Sequence, residues 1–160
     1  MTRPSEANRP LSAPMLRRLG RLISLWGPPV AIMAIIFWLS GRPAGEIKPV
    51  SDALSGWLDG WLRRVPWLPA IEWLKVGHVI GYGLLGICLY RAMWRVSRYP
   101  LAASLLIVLA YAISDELHQQ FVPGRSGSWQ DVLLDVAAAA LFIALTQRWL
   151  ERASRAAPPD

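Results

Sequence analysis

A stretch of twenty residues without a charged side chain, Leu22 to Gly41, restricts this chain more than any other feature. At about 1.5 Å of rise per residue, a helix of this length crosses a hydrocarbon core of roughly 30 Å. The stretch is too long for the apolar part of a cleavable signal peptide, and no small-residue cleavage site follows it. It therefore predicts a retained transmembrane helix, with a kink or a break at Pro28 and Pro29.

The composition agrees with a membrane protein of one domain. The 160 residues are 54% hydrophobic and 18% charged, and the mean hydropathy is +0.31. These values exclude a disordered chain and disfavour an ordinary water-soluble domain. A single cysteine excludes an internal disulfide framework and a multi-cysteine zinc site.

Three further segments are apolar enough to follow the first span through the membrane. They cover residues 76–94, 99–117 and 132–150. Their uncharged runs are shorter than the usual ~18–20 residues, so either these helices are not spans or charged residues at their ends are drawn into the membrane protein. The expected fold is an all-α polytopic bundle with four transmembrane helices in a membrane domain covering residues 22–150.

The distribution of basic residues orients these spans. With both termini in the cytoplasm, eleven Lys and Arg residues are on the inner side and six are outside, as the positive-inside rule requires. Residues 1–21 and 151–160 are then cytoplasmic tails. Trp side chains are expected near both interfaces, at positions 26, 94 and 149 inside and 38, 73 and 129 outside.

The segment between the first two spans has the period of an amphipathic helix over residues 50–64. Its apolar positions recur at i, i+3, i+4, i+7 and i+8, and they include Trp57 and Trp61. This helix would lie in the outer membrane interface, or alternatively pack on the protein alone.

Polar and ionisable residues concentrate at the predicted outer ends of three spans. Lys75, His78 and Tyr82 are spaced i, i+3, i+7 and share one face of the second span. The end of the third span and the start of the fourth add a further group: Asp115, Glu116, His118, Gln119, Arg125, Ser128, Asp131 and Asp135. Ionisable residues at membrane depth are costly, so this group predicts a functional site.

The residue types suit more than one chemistry. Histidine and carboxylates could hold a divalent metal or act as general acid and base, although the spacing is not a recognised metal motif. Lys75 and Arg125 would suit a lipid phosphate or another anionic headgroup. The sequence has no phosphate-binding glycine loop, dinucleotide fingerprint or nucleophile elbow.

Structural roles are the alternative for several of these residues. Lys75 would extend its amine to the interface, and Asp131 would cap the fourth helix. Arg125 would be the counter-ion of Asp115 or Glu116. His78 and Tyr82 would form hydrogen bonds between helices, and Asp135 requires a partner because it lies within an apolar helix.

These residues stand in a string that resembles the VanZ-like membrane protein family over about residues 30–147. The string reads Lys-Val-Gly-His-Val-Ile-Gly-Tyr at 75–82 and Asp-Glu-Leu-His-Gln-Gln-Phe-Val-Pro-Gly-Arg-Ser-Gly-Ser at 115–128, followed by Asp131. The resemblance implies a small polytopic bundle linked to teicoplanin resistance. Eight residues match the family pattern: Lys75, His78, Tyr82, Asp115, Glu116, Gln119, Arg125 and Asp131. The chain departs from it at Asp135 and residues 137–140, where the family usually has Asn followed by a small, Gly-containing stretch.

Three functions remain open at this point. In the first, an outward-facing pocket in the bacterial inner membrane binds an anionic envelope lipid, a lipid-linked precursor or a lipoglycopeptide. Glu116 and Asp115 are then central carboxylates, with Arg125 and Lys75 as an anion clamp. In the second, the protein is a lipid hydrolase or phosphoesterase, with or without a metal, and Glu116, Asp115 and His78 are catalytic. In the third, it is an accessory subunit whose polar residues only hold helices together. Nucleic-acid binding is disfavoured because the arginines are dispersed over three cytoplasmic segments.

Overall fold

The computed structural model describes residues 13–49, 52–53, 56 and 73–156, and those residues form helices and turns without a strand. The four long helices are α1 (Ala13–Ser40), α2 (Trp73–Met93), α3 (Pro100–Gln119) and α4 (Trp129–Ala156). A short helical segment, residues 44–49, follows α1. The predicted all-α bundle is confirmed.

Each long helix is long and apolar enough to cross a membrane. The candidate spans are Ala13–Ser40, Lys75–Met93, Pro100–Gln119 and Trp129–Trp149. Large apolar side chains are exposed along the outside of the bundle, among them Ile35, Leu106 and Leu141. Such a surface requires lipid around it, so the chain is a multi-pass membrane protein.

The helices are longer than the sequence predicted at both ends of the chain. The first helix begins at Ala13 rather than near Leu22, and α4 continues to Ala156. Residues 13–21 are rich in Leu, Met and Arg, which favour helix and extend α1 beyond its uncharged stretch. The expected break is absent, because α1 is one helix with Pro28 and Pro29 inside it. A bend at these prolines stays a prediction.

The predicted amphipathic helix at 50–64 lies largely outside the described residues. Within it, residues 52, 53 and 56 are helical. The chain up to residue 12 and beyond residue 156 also lies outside the described part, so the predicted tails stay predictions there.

Helix α2 lies at the centre of the bundle and contacts each of the other three helices. Its orientation alternates with that of its neighbours, since a short turn at 94–99 joins α2 to α3 and Arg91 donates a hydrogen bond to the carbonyl of Ser24 in α1. Six fully buried residues form the core: Tyr82, Leu85, Leu89, Val108, Ala112 and Ala139. The N-terminal ends of α2 and α4 and the C-terminal ends of α1 and α3 consequently meet at one end of the bundle.

Small residues allow α2 and α4 to approach closely. A Cβ atom on Gly86 would lie 2.8 Å from the Cβ and 3.0 Å from the Cα of Ala139. One turn earlier, a Cβ atom on Gly83 would lie 2.6 Å from the ring of Phe142. Membrane helices associate mainly through packing, and small residues at an interface permit it.

Exposed aromatic side chains mark both ends of the bundle. Trp38, Phe121 and Trp129 surround the end where α3 stops and α4 starts, and Trp94, Tyr99 and Trp149 surround the other end. This pattern is expected of the two membrane interfaces. Trp26 is different: it is partly buried and packs against the core. The side chain of Trp73 lies outside the described part, and the orientation of the bundle stays a prediction.

Candidate functional site

The polar residues predicted from the sequence converge where the four helix ends meet. Three carboxylates are buried there: Asp115 is 1% exposed, Glu116 5% and Asp135 0%. They come from two helices, and α1, α2 and the turn after α3 supply their surroundings. We call these carboxylates and the polar side chains around them the polar cluster: Ser40, His78, Tyr82, Asp115, Glu116, Gln119, Arg125, Ser128 and Asp135.

Two side chains donate hydrogen bonds to the same oxygen of Asp115. The Ser40 hydroxyl lies 2.9 Å from Oδ2, and the Gln119 amide nitrogen lies 3.2 Å from it. The other oxygen, Oδ1, is buried without a hydrogen-bond partner among the described residues. Sequence reasoning missed Ser40. Its one signal was a hydroxyl one residue before the end of the uncharged first span, near the predicted outer end of the third span.

We expect Ser40→Ala to lower the free energy of unfolding by about 1–3 kcal/mol, because it removes a donor from a buried carboxylate. Ser24→Ala is the matched control, since the exposed Ser24 hydroxyl donates to a carbonyl of its own helix, that of Arg21. Thermal unfolding of the two variants in detergent measures the difference. Equal melting temperatures would show that the Ser40 hydrogen bond contributes nothing.

Glu116 is held from both sides. Its Oε2 accepts the backbone N–H of Ser128 at 2.7 Å, and its Oε1 accepts the Gln119 amide at 3.4 Å. The turn after α3 can reach Glu116 because residue 127 is glycine: a Cβ atom there would lie 2.3 Å from the Glu116 carbonyl oxygen. The turn that the sequence predicts after α3 thus brings the backbone N–H of Ser128 to the Glu116 carboxylate.

Asp135 has the partner that its position demanded, and that partner is His78. The imidazole Nδ1 lies 3.3 Å from Oδ1 and 3.4 Å from Oδ2, with the hydrogen bond directed at Oδ2. The Oδ1 atom is left without a hydrogen-bond partner in the described part of the chain. Glu116 joins this pair, because one ligand-type atom from each of His78, Glu116 and Asp135 lies within 4.8 Å of the others.

Tyr82 is a fully buried aromatic member of the polar cluster. Its ring lies nearly parallel to that of His78, with the centroids 6.0 Å apart. The hydroxyl interacts electrostatically with Asp115 and Asp135 but makes no regular hydrogen bond among the described residues. A buried phenol in this state can donate to a group that enters the cluster.

Arg125 binds backbone rather than a carboxylate. Its Nε donates to the carbonyl of Arg42 at 3.0 Å, and its two terminal nitrogens reach the Leu39 carbonyl at 3.4 Å and the Gln119 side-chain oxygen at 3.5 Å. The structural alternative considered from the sequence, a direct ion pair of Arg125 with Asp115 or Glu116, is therefore wrong among the described residues. The guanidinium instead links the end of α1 to the turn after α3. Among the described residues, it is connected to Asp115 and Glu116 through the Gln119 side chain, which donates to both carboxylates.

Ser128 and Asp131 have different roles at the start of α4. The Ser128 hydroxyl accepts the N–H of Gln130 at 3.2 Å, so Ser128 caps the helix. Asp131, which sequence reasoning considered for this cap, lies in the first turn, where its charge favours the helix dipole.

Two clefts open next to the polar cluster and share His78 and Arg125. The more polar one, of about 210 Å³, has polar and apolar atoms in about equal share and is also lined by Lys75, Gln119, Ser126 and Asp131. The other, of about 160 Å³, is mostly apolar and is also lined by Ile36, Leu39, Ile47 and Tyr82. The more polar cleft and the mostly apolar cleft therefore meet at the side chains of His78 and Arg125.

The family model for VanZ/LLP1 matches residues 26–150. The chain is a member of the VanZ/LLP1 family. The resemblance read from the sequence is thereby confirmed, and every predicted site residue from Lys75 to Asp135 lies within the matched segment. Neither a curated protein nor a solved structure matches this chain.

One conspicuous residue of this VanZ/LLP1 protein is not part of the cluster. His118 follows the site residues along α3, but its ring stacks on Phe37 of α1, with the centroids 4.4 Å apart. Helix geometry explains the difference, because Asp115, Glu116 and Gln119 lie on the buried face of α3 and His118 projects beside that face.

Proposed function

We propose that this VanZ/LLP1 protein binds an anionic amphiphile at the outer side of the bacterial inner membrane. The ligand is an envelope lipid, a lipid-linked precursor or a lipoglycopeptide. The observation that supports this is the junction of the polar and apolar clefts at His78 and Arg125. An amphiphile needs such a junction, with space for a charged headgroup beside space for the first segment of an acyl or prenyl chain.

Charge within the polar cleft supports an anionic headgroup. Lys75 is exposed at the start of its span and lines this cleft together with Arg125. Backbone carbonyls engage the guanidinium of Arg125 and fix its position, whereas Lys75 contributes an exposed ammonium group to the same cleft. The sequence predicted Lys75 and Arg125 as a joint anion clamp. In the proposal Lys75 is the main anion contact, and Arg125 lines the cleft as a structural residue.

Access from the membrane supports a lipid source for the ligand. The apolar cleft is lined by α1 side chains, and the neighbouring surface of α1 exposes Phe37 and Trp38. A chain lying in the outer leaflet can enter along this surface while its headgroup stays at the interface. Binding of this kind would reduce the effect of a lipoglycopeptide such as teicoplanin, either by holding the antibiotic's tail or by holding its lipid-linked target.

Lys75→Gln is expected to weaken binding of an anionic amphiphile about five-fold, since one basic residue near an anionic surface contributes roughly 1 kcal/mol. The measurement titrates purified protein with phosphatidylglycerol, with a polyprenyl phosphate and with teicoplanin, and phosphatidylcholine of matched chains serves as the zwitterionic reference. The strongest of the three anionic arms identifies the source of the ligand.

Arg98→Gln is the matched control for this experiment. It removes the same charge from an exposed residue at the other end of the bundle, so its affinity for the same ligand should equal that of the wild type. The proposal is wrong if phosphatidylcholine binds as well as the anionic amphiphiles, or if Lys75→Gln and Arg98→Gln have the same effect.

A further inference from the structure

The most unusual arrangement in the described part of the chain is the convergence of one imidazole and two buried carboxylates from three helices. His78 comes from α2, Glu116 from α3 and Asp135 from α4, and one ligand-type atom from each lies within 4.8 Å of the others. These residues are far apart in sequence, so no local motif accounts for their meeting. We call His78, Glu116 and Asp135 the triad.

The two carboxylates of the triad are buried close together, so they need either a proton or a positive ion between them. When both carboxylates are ionised and the imidazole is neutral, the triad has a charge of −2, and a protonated His78 offsets only half of it. Asp135 is fully buried, and its Oδ1 makes no hydrogen bond to any described residue. Burying such an oxygen is expensive unless it is bound by a hydrogen-bond donor or a metal.

We propose that the triad binds one divalent first-row transition metal ion, such as Zn²⁺ or Mn²⁺, with His78, Glu116 and Asp135 as its protein ligands. One imidazole nitrogen and two carboxylate oxygens are suitable donors for these ions. A dication neutralises the charge of −2. This proposal goes beyond lipid binding and does not depend on it.

The distances are compatible with this assignment. Metal–ligand bonds of about 2.0–2.2 Å place two atoms on one ion at most roughly 4.4 Å apart, and about 3.4 Å apart in a tetrahedral site. The separation of 3.3 Å between His78 Nδ1 and Asp135 Oδ1 is already of this size. The widest separation in the triad, at most 4.8 Å, must shrink by about half an ångström to reach the largest separation that one ion permits, and by about 1.4 Å to reach that of a tetrahedral site.

The surroundings would also position the ligands. The Ser128 N–H and the Gln119 amide hold the two oxygens of Glu116, which limits the rotation of this carboxylate. Outer contacts of this kind orient the ligands of metal sites. His78 also lines both clefts, so the triad lies next to the space proposed for the headgroup.

The test uses the full chain, purified in detergent without a polyhistidine tag, stripped with EDTA and transferred to chelator-free buffer. Isothermal titration with Zn²⁺ and Mn²⁺ should give one ion per chain, and Co²⁺ should produce visible absorption bands. Asp135→Asn keeps the shape of the side chain and is expected to weaken binding at least about 100-fold, because substitution of an outer contact alone costs 10–100-fold.

His118→Gln is the matched control, since the chain has two histidines and His118 stacks on Phe37 outside the triad. It should bind the metal like the wild type. Glu116→Gln is the second test variant, for use if Asp135→Asn does not fold. Absence of a bound ion from the wild type, or equal affinity in the wild type and a folded triad variant, would refute the metal site.

The same titrations separate this proposal from lipid binding. Lys75→Gln leaves the triad intact, so it should bind the metal at least as tightly as the wild type while it loses affinity for the anionic amphiphile. A protein that binds metal but no amphiphile overturns the proposed function alone. A protein that binds the amphiphile with an unfilled triad overturns the metal site alone.

Discussion

Gly86→Leu is expected to prevent the bundle from folding. Even the first added carbon would lie 2.8 Å from the Cβ and 3.0 Å from the Cα of Ala139, and a backbone atom cannot rotate away as a side chain can. Overpacking a core costs about 1–3 kcal/mol when neighbours can adjust. Here the adjustment would separate α2 from α4 along their contact, so the loss should exceed that range.

Folding in detergent can be followed by size-exclusion chromatography and by thermal unfolding. Gly86→Ala should lower the melting temperature, and Gly86→Leu should leave little monodisperse protein. Gly20→Leu is the matched control, because a Cβ atom on Gly20 meets nothing within 4 Å. If Gly86→Leu folds as well as Gly20→Leu, the close contact between α2 and α4 is not what holds the bundle together.

Arg125→Gln should produce the second large effect, a loss of roughly 2–4 kcal/mol in the free energy of unfolding. The guanidinium donates to the carbonyls of Arg42 and Leu39 and to the Gln119 side chain, and hydrogen bonds to charged groups contribute about 1.5–3 kcal/mol each. Partial exposure of Arg125 reduces their sum. Arg125→Lys should fail to restore stability, since an ammonium group lacks the planar fork that reaches three acceptors.

Thermal unfolding of Arg125→Gln and Arg125→Lys beside Lys75→Gln separates a structural cation from a ligand-binding one. Lys75→Gln should melt within a few degrees of the wild type because Lys75 is exposed, and both Arg125 variants should melt well below it. An Arg125→Gln variant with wild-type stability would return Arg125 to the anion clamp predicted from the sequence. Collapse of the fold in every variant of the polar cluster, and in Lys75→Gln as well, would instead favour an accessory subunit with a purely structural cluster.

Much of the candidate site could be predicted from the sequence, because placing its ionisable side chains at membrane depth costs free energy unless they have partners. A carboxylate such as Asp135, one turn inside an apolar helix, requires a partner. Antiparallel connections then restrict the partner to residues at the same end of neighbouring helices, which include His78 and Glu116. Ser40 could not be predicted in this way, because a single hydroxyl near the end of a span is common and burying it costs much less free energy than burying a carboxylate.

The roles within the site were less predictable than its membership. Arg125 was expected to meet a carboxylate or a ligand, yet the end of α1 presents two carbonyls that its guanidinium reaches first. His118 stands among the site residues along the chain, but it lies on a different face of α3 and meets Phe37 instead. Differences of this kind depend on the rotation of each helix about its own axis, which one segment does not determine.

The sequence by itself determined the number of spans, the helical class and the end of the bundle where the polar residues collect. These properties are local, because each span must be long and apolar enough to cross the bilayer and must satisfy its own backbone hydrogen bonds. Only the tertiary structure decided that His78, Glu116 and Asp135 meet within 4.8 Å. That meeting depends on how closely α2 and α4 pack at Gly86 and Ala139, where contacts between helices, rather than hydropathy within them, fix the distances.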